Sequence, residues 1–302
     1  MPLLPSGEQF EIRHGNQVAV AVEVGAGLRS YRVDGFELLD TYRPDAMADV
    51  ARGHVLVPWP NRLRDGAYEW EGRACEVPLN EPRQRNAIHG LVRWLGWRRT
   101  LQEPSRVGLE MILHPSPAYP FTLRSTLLYE LSDQGLKVTI GAENAGATAL
   151  PYGAGQHPYL RLTEGPIDGL ELRIPARTRL ISDERAIPVG EAPVSGEFDF
   201  TRPRALGQTE LDTAYTDLIR DPDGLARVLL RAGGRTLTLW VDPGFPHLMI
   251  FTGDRGPAPG RQRQGLGVEP MTCAPNAFQS GRDLIRLEPG QTTSASWGLS
   301  LD

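Results

Sequence analysis

A chain of 302 residues that is 40% hydrophobic and 23% charged, with 26 prolines and 33 glycines, has the composition of a folded, turn-rich protein and excludes a disordered one. The net charge of -5, with no clustered basic patch, excludes a nucleic-acid partner. The first residues lack the apolar core of a signal peptide and no run approaches the ~18 apolar residues of a membrane span, so the expectation is a soluble cytoplasmic protein without a membrane partner.

Short alternating runs separated by turn signals recur from the N-terminus onward. Residues 17–24, 28–33 and 36–39 come first, the last two joined by Asp34-Gly35, a strong hairpin signal because glycine tolerates positive φ. Residues 44–52 are the one weak helix candidate, about two turns. Residues 68–70 precede Glu71-Gly72, and residues 123–131 precede Asp133-Gln134-Gly135. The run 136–140 alternates around Lys137, the only lysine, whose side chain should face water, which argues against Schiff-base chemistry. Residues 170–174, 227–231, 235–241 and 247–251 continue the pattern, the third with a Trp240 that reads as buried. Residues 255–265 are polar and rich in breakers, the signature of a mobile surface loop just before Glu269. Apolar spacing of helical period never persists for 12 residues with caps at both ends. The chain therefore reads as all-β, a single sandwich or barrel domain over 1–302 with long antiparallel sheets packed face to face.

Three short segments carry acid–base chemistry: Asn86-Ala87-Ile88-His89-Gly90, Gln156-His157-Pro158-Tyr159 and Val268-Glu269-Pro270. Two histidines and a carboxylate can donate one proton and accept another without a cofactor. Glu269 sits among apolar neighbours, where desolvation would raise its pKa and make it a useful base. The strip Val57-Pro58-Trp59-Pro60-Asn61-Arg62 joins an aromatic face, an amide and a guanidinium fork, groups suited to stacking on and bonding to a sugar. Asp212 and Asp217, in an alternating acidic strip, are candidate acceptors for ring hydroxyls.

Other chemistries find no support. Cys75 and Cys273 are too few for a disulfide framework or a cysteine-built zinc site and read as unpaired structural thiols. His54, His114 and His247 show no ligand spacing, Gly265-Leu266-Gly267 lacks the following helix of a phosphate cradle, and there is no Gly-x-Ser-x-Gly elbow. Neither a metal nor an organic cofactor is expected.

With these residues laid out, the chain resembles the aldose 1-epimerase (galactose mutarotase) family from about Phe10 to Ser300. The matching landmarks in order are Pro-Trp-Pro-Asn61-Arg62-Leu, Asn86-x-x-His89-Gly90, Tyr119-Pro120-Phe121, Asn144, Gln-His157-Pro-Tyr159, Leu-Asp212 and Val-Glu269-Pro. The resemblance implies a large antiparallel β supersandwich with an open cleft and no cofactor. Carried over, it makes Glu269 the general base, a protonated His157 the general acid and His89 a supporting donor near the ring oxygen. Arg62 and Asp212 match substrate-binding positions, and Asn61 and Trp59 join them from the same strip. Two features depart from the best-studied galactose enzymes: Leu160-Arg161 where they have Phe-Asn, and the Pro-Trp-Pro strip itself. The expected activity is interconversion of the α and β anomers of a free hexose of galactose or glucose type, by a monomer or homodimer. Its rivals are a hexose-6-phosphate 1-epimerase using Arg62, Arg64, Arg83 and Arg85, a non-catalytic sugar-binding protein on the same fold, and a glycoside hydrolase, which would need two opposed carboxylates.

Overall fold

A computed structural model describes residues 3–256 and 260–302. Among these, two large sheets dominate, and every strand pair in them is antiparallel. The nine-stranded sheet is centred on Leu123–Ser132, Gly135–Asn144 and Thr292–Leu301. Leu123–Ser132 buries every second residue, the period-2 signature of a strand with one face on a core. Lys137 lies on the exposed face of its strand, as the alternation requires.

The eight-stranded sheet runs from Pro188–Pro193 through Ala176–Ser182, Asp212–Leu218, His247–Phe251 and Leu266–Met271 to Gly155–Gln156 and Val55–Leu56. Both sheets feed one apolar core. Inside it Gln156 donates to the Tyr129 hydroxyl (2.7 Å) and accepts from the Trp297 indole N–H (3.0 Å), so one buried amide ties the two sheets together with its polar atoms paired. A four-stranded sheet near the N-terminus, comprising Gln9–His14, Gln17–Val22, Leu28–Val33 and Phe36–Glu37, completes the large elements. The antiparallel all-β architecture matches the reading of the sequence. No helix of the described residues is long and apolar enough to cross a membrane.

Several local expectations change. Residues 44–52 form successive turns instead of a helix, because Val50 and Ala51 take left-handed φ values of 43° and 59° that no helix accommodates. The only α-helix among the described residues is the single turn Ala277–Ser280. Trp240 is half-buried on its strand. In the segment 255–265, Pro257, Ala258 and Pro259 lie outside the described residues. The rest is tied to the body: Arg261 pairs with Asp40 at 2.8 Å, and Arg263, 9% exposed, pairs with Asp168 at 2.6 Å and Asp254 at 2.7 Å. Cys75 and Cys273 are buried and unpaired, as expected.

Candidate functional site

Glu269 sits in the strand Leu266–Met271, all six residues of which are buried. It lies opposite Met249 of one neighbouring strand, and on the other side Gly155–Gln156 and Tyr159–Leu160 pair with the same strand in two separate pieces. His157 and Pro158 fill the gap between those pieces. Proline has no N–H for the ladder, and the interruption frees His157 from regular pairing. Its N–H instead donates to the His54 carbonyl and its carbonyl accepts from the Gly53 N–H. The outcome is a His157 Nε2 to Glu269 Oε1 separation of 3.2 Å, with both side chains almost fully buried. The imidazole stacks on Tyr159 at 4.7 Å, which holds the ring plane.

His89 reaches the same place from the end of Asn86–Ile88, where it takes a left-handed φ of 64°. Its Nδ1 accepts from the Asn61 N–H at 3.2 Å while its backbone N–H donates to the Asn61 carbonyl at 2.9 Å. With Nδ1 an acceptor, the ring proton resides on Nε2, and His89 is a neutral donor. Burial and the neighbouring His157 hold it far below the ordinary histidine range. Its ring lies 5.2 Å from that of His157.

Arg62 begins the strand Arg62–Arg64 and forms another wall, its Nε 3.0 Å from Glu81 and its Nη1 3.5 Å from Asp212. Burial works against its charge, and Asp212 and Glu81 more than restore it. The Asn61 side chain accepts from the Arg62 N–H and lines the same cavity. That cavity, about 370 Å³, is bounded by Asn61, Arg62, His89, His157, Asp212 and Glu269, and falls in the ~300–1,000 Å³ range of small-molecule pockets. A larger polar groove of about 870 Å³ lies elsewhere, around Asp133 and Trp240, without a buried acid–base pair; chemistry, not size, selects the smaller one.

Six of the seven expected site residues converge on this cavity: His89, His157, Glu269, Arg62, Asp212 and Asn61. Trp59 does not. It is 2% exposed and packs at 5.3 Å against Phe278 of the single-turn helix, so it belongs to the core and has no face to offer a sugar. Of the two candidate aspartates, Asp212 faces the cavity, whereas Asp217 accepts from the Thr178 hydroxyl. The arginines considered for a phosphate do not form a pocket: Arg64 pairs with Asp183 at 2.5 Å, Arg85 with Asp65 at 3.4 Å, and Arg83 is exposed. Sequence reasoning missed Glu81 and Arg93, which also line the cavity. Glu81 stands before a proline as Glu269 does, but nothing in that dipeptide signals a partner for Arg62.

Electrostatically the central pair is opposed. Burial, and then the Asp212 charge, push the Glu269 carboxyl well above the ordinary carboxylate range, with Arg62 offsetting part of this. Burial, and then the Arg93 charge, push His157 down to about 3. The buried site thus drives each of the two groups toward its neutral form. Glu269 Oε2 and His157 Nδ1 are buried without a hydrogen-bond partner, so both groups have bonding capacity left. The ligating atoms of His89, His157 and Glu269 lie within 4.8 Å of one another, a spacing that could also hold a metal ion.

The sequence model of the aldose 1-epimerase family matches residues 8–300. The chain belongs to the aldose 1-epimerase family. A relative in Escherichia coli K12, the uncharacterized protein YihR, is 34% identical over 288 residues, covering 95% of this chain and 91% of that one. Among solved structures, a galactose mutarotase-like protein from Clostridium acetobutylicum superposes with a TM-score of 0.84 at 18% identity, covering 97% of this chain and 94% of that one. A galactose 1-epimerase from Lactobacillus acidophilus superposes with a TM-score of 0.81 at 21% identity, covering 96% and 92%. At these identities the superpositions establish a shared aldose 1-epimerase fold.

Proposed function

We propose that the chain interconverts the α and β anomers of a free hexose by acid–base ring opening and closure. The observation that carries this reading is the buried His157–Glu269 contact of 3.2 Å inside a sugar-sized cavity. Glu269 as carboxylate takes the proton of the anomeric hydroxyl, the C1=O bond forms, and the C1–O5 bond breaks as His157 gives a proton to O5. Rotation about C1–C2 presents the other carbonyl face, and closure with the roles reversed returns both protons. These roles use Glu269 as carboxylate and His157 as imidazolium, a pair whose 3.2 Å separation lets each charge stabilise the other. His89, a fixed neutral donor, bonds to the ring oxygen beside His157, and Arg62 and Asp212 hold hydroxyl groups.

The test is mutarotation of freshly dissolved α-glucose and α-galactose followed by polarimetry. Rates above buffer support the reading, and rates equal to buffer for both sugars overturn it. Ligand binding without turnover would favour a sugar-binding protein.

The pH profile follows from the paired shifts. An ordinary histidine acid would lose activity near pH 6.5. Here burial pushes His157 down to about 3 and Glu269 upward, so His157 leaves the interval in which an unperturbed histidine titrates. The expected kcat/KM profile has no histidine-type inflection near pH 6.5. An inflection near pH 6.5 would show an ordinary histidine instead.

A further inference from the structure

The groove around Asp133 and Trp240 shares no lining residue with the acid–base cavity and is more than twice its volume, about 870 Å³ against about 370 Å³. It opens where three hairpin turns, Gly15-Asn16, Asp34-Gly35 and Asp133-Gln134, meet Trp240 of the strand Arg235–Val241. Contacts among these elements build it without a ligand. The Asp34 N–H donates to the Asn16 carbonyl at 3.1 Å. The Gln17 side chain, 7% exposed, donates to the Ser132 carbonyl at 2.7 Å and accepts from the Tyr31 hydroxyl at 2.8 Å. A fixed concave surface with a few placed polar groups is what small-molecule sites share.

Trp240 supplies an aromatic face. It stands opposite Gly298 of the neighbouring strand, and a Cβ added to Gly298 would lie 2.5 Å from two atoms of the indole. The half-buried ring therefore lies across a residue without a side chain, and its remaining exposure is toward the groove. Its indole N–H has no hydrogen-bond partner among the described residues. The same holds for the side chains of Asn16, Asp34, Gln134 and Arg235, all exposed at the rim. Arg235 is held in place by the Phe36 ring, 4.6 Å below its guanidinium.

The lining selects the ligand. An apolar molecule would leave these amides and charges unpaired. An anion would face Asp34, Asp133 and Asp223, while Arg227 is already engaged by Asp221 at 2.6 Å and by Asp223. What fits is an uncharged ligand with a C–H face for the indole and many hydroxyls for the amide, carboxylate and guanidinium groups, which describes a saccharide. The volume suits a short oligosaccharide better than one hexose.

We propose that this groove is a second, non-catalytic saccharide site, in which Trp240 stacks on one unit of an uncharged oligosaccharide and the turns bond its hydroxyls. The inference does not depend on the epimerase reading.

The experiment titrates the methyl glycosides of maltotriose, cellotriose and xylotriose into the protein by calorimetry. Capped at C1, they cannot be ring-opened, so binding is read without turnover. At least one is expected to bind, with affinity falling about 10-fold in Trp240→Ala and partly kept in Trp240→Phe. It should be unchanged in Asp212→Ala, which alters the acid–base cavity alone. Should Trp240→Ala fail to fold, Gln134→Ala and Arg235→Ala, at exposed positions, are expected to weaken binding in its place. No binding of any of the three glycosides, affinity unchanged in the groove variants, or binding lost in Asp212→Ala overturns the proposal. Glycoside binding is measured apart from mutarotation, so either reading can fail while the other stands.

Discussion

Glu269→Gln is expected to lower the mutarotation rate by about 10²- to 10⁴-fold, the usual contribution of one placed proton-transfer group. The same substitution should not destabilise the fold. Glutamine is nearly isosteric, and the strand Leu266–Met271 stays buried around a neutral amide. In the unfolded chain Glu269 ionises in the ordinary carboxylate range near 4.5, but in the folded chain it keeps its proton well above that. As pH rises through this interval the unfolded state loses a proton that the folded state retains, so wild-type stability falls. Glutamine has no such dependence. Thermal unfolding should therefore show Glu269→Gln at least as stable as wild type at pH 7, with the difference closing toward about pH 4.5. A large loss of Tm at pH 7, or an unchanged mutarotation rate, would remove Glu269 from the role assigned to it.

His157 carries the opposite dependence. Its folded pKa of about 3 lies below the unfolded value, so the unfolded state gains a proton first as pH falls and stability declines from about 6.5 toward 3.

Gly90→Ala is expected to be the most damaging single substitution near the site outside the acid and base. Gly90 has a φ of 68°, and a Cβ there would lie 2.0 Å from the Val57 carbonyl oxygen. The left-handed backbone costs about 1–2 kcal/mol and the forced overlap about 1–3, so a loss of roughly 2–5 kcal/mol is expected in urea unfolding. Gly15, with a φ of 54° and nothing within 4 Å of an added Cβ, is the control, and Gly15→Ala should show only the backbone component. Equal losses at the two positions would mean that the Val57 contact does not matter. Because His89 immediately precedes Gly90, the first variant should also lose activity through displacement of that donor.

Much of the sheet architecture was legible because alternation is a local property. The runs 28–33, 235–241 and 247–251 coincide with strands, since each carries its pattern within its own length. Residues 44–52 misled for a converse reason: their composition permits a helix, but the left-handed Val50 and Ala51 are imposed by surroundings, among them the Tyr159 hydroxyl donating to the Val50 carbonyl at 3.1 Å. Trp59 was misplaced because an aromatic beside prolines reads alike on a sugar or in a core, and only the position of Phe278 separates the two.

By itself the sequence determined the all-β class, the acid–base residue types and the ordered landmarks of the family, all of which depend on local pattern and residue identity. The tertiary structure alone decided that His157 and Glu269 meet at 3.2 Å, that burial pushes the pKa of Glu269 up and that of His157 down, and that Arg93 lacks a counter-charge among the described residues. The physical reason is that desolvation and ion pairing depend on which distant segments pack together, and no spacing along the chain encodes them.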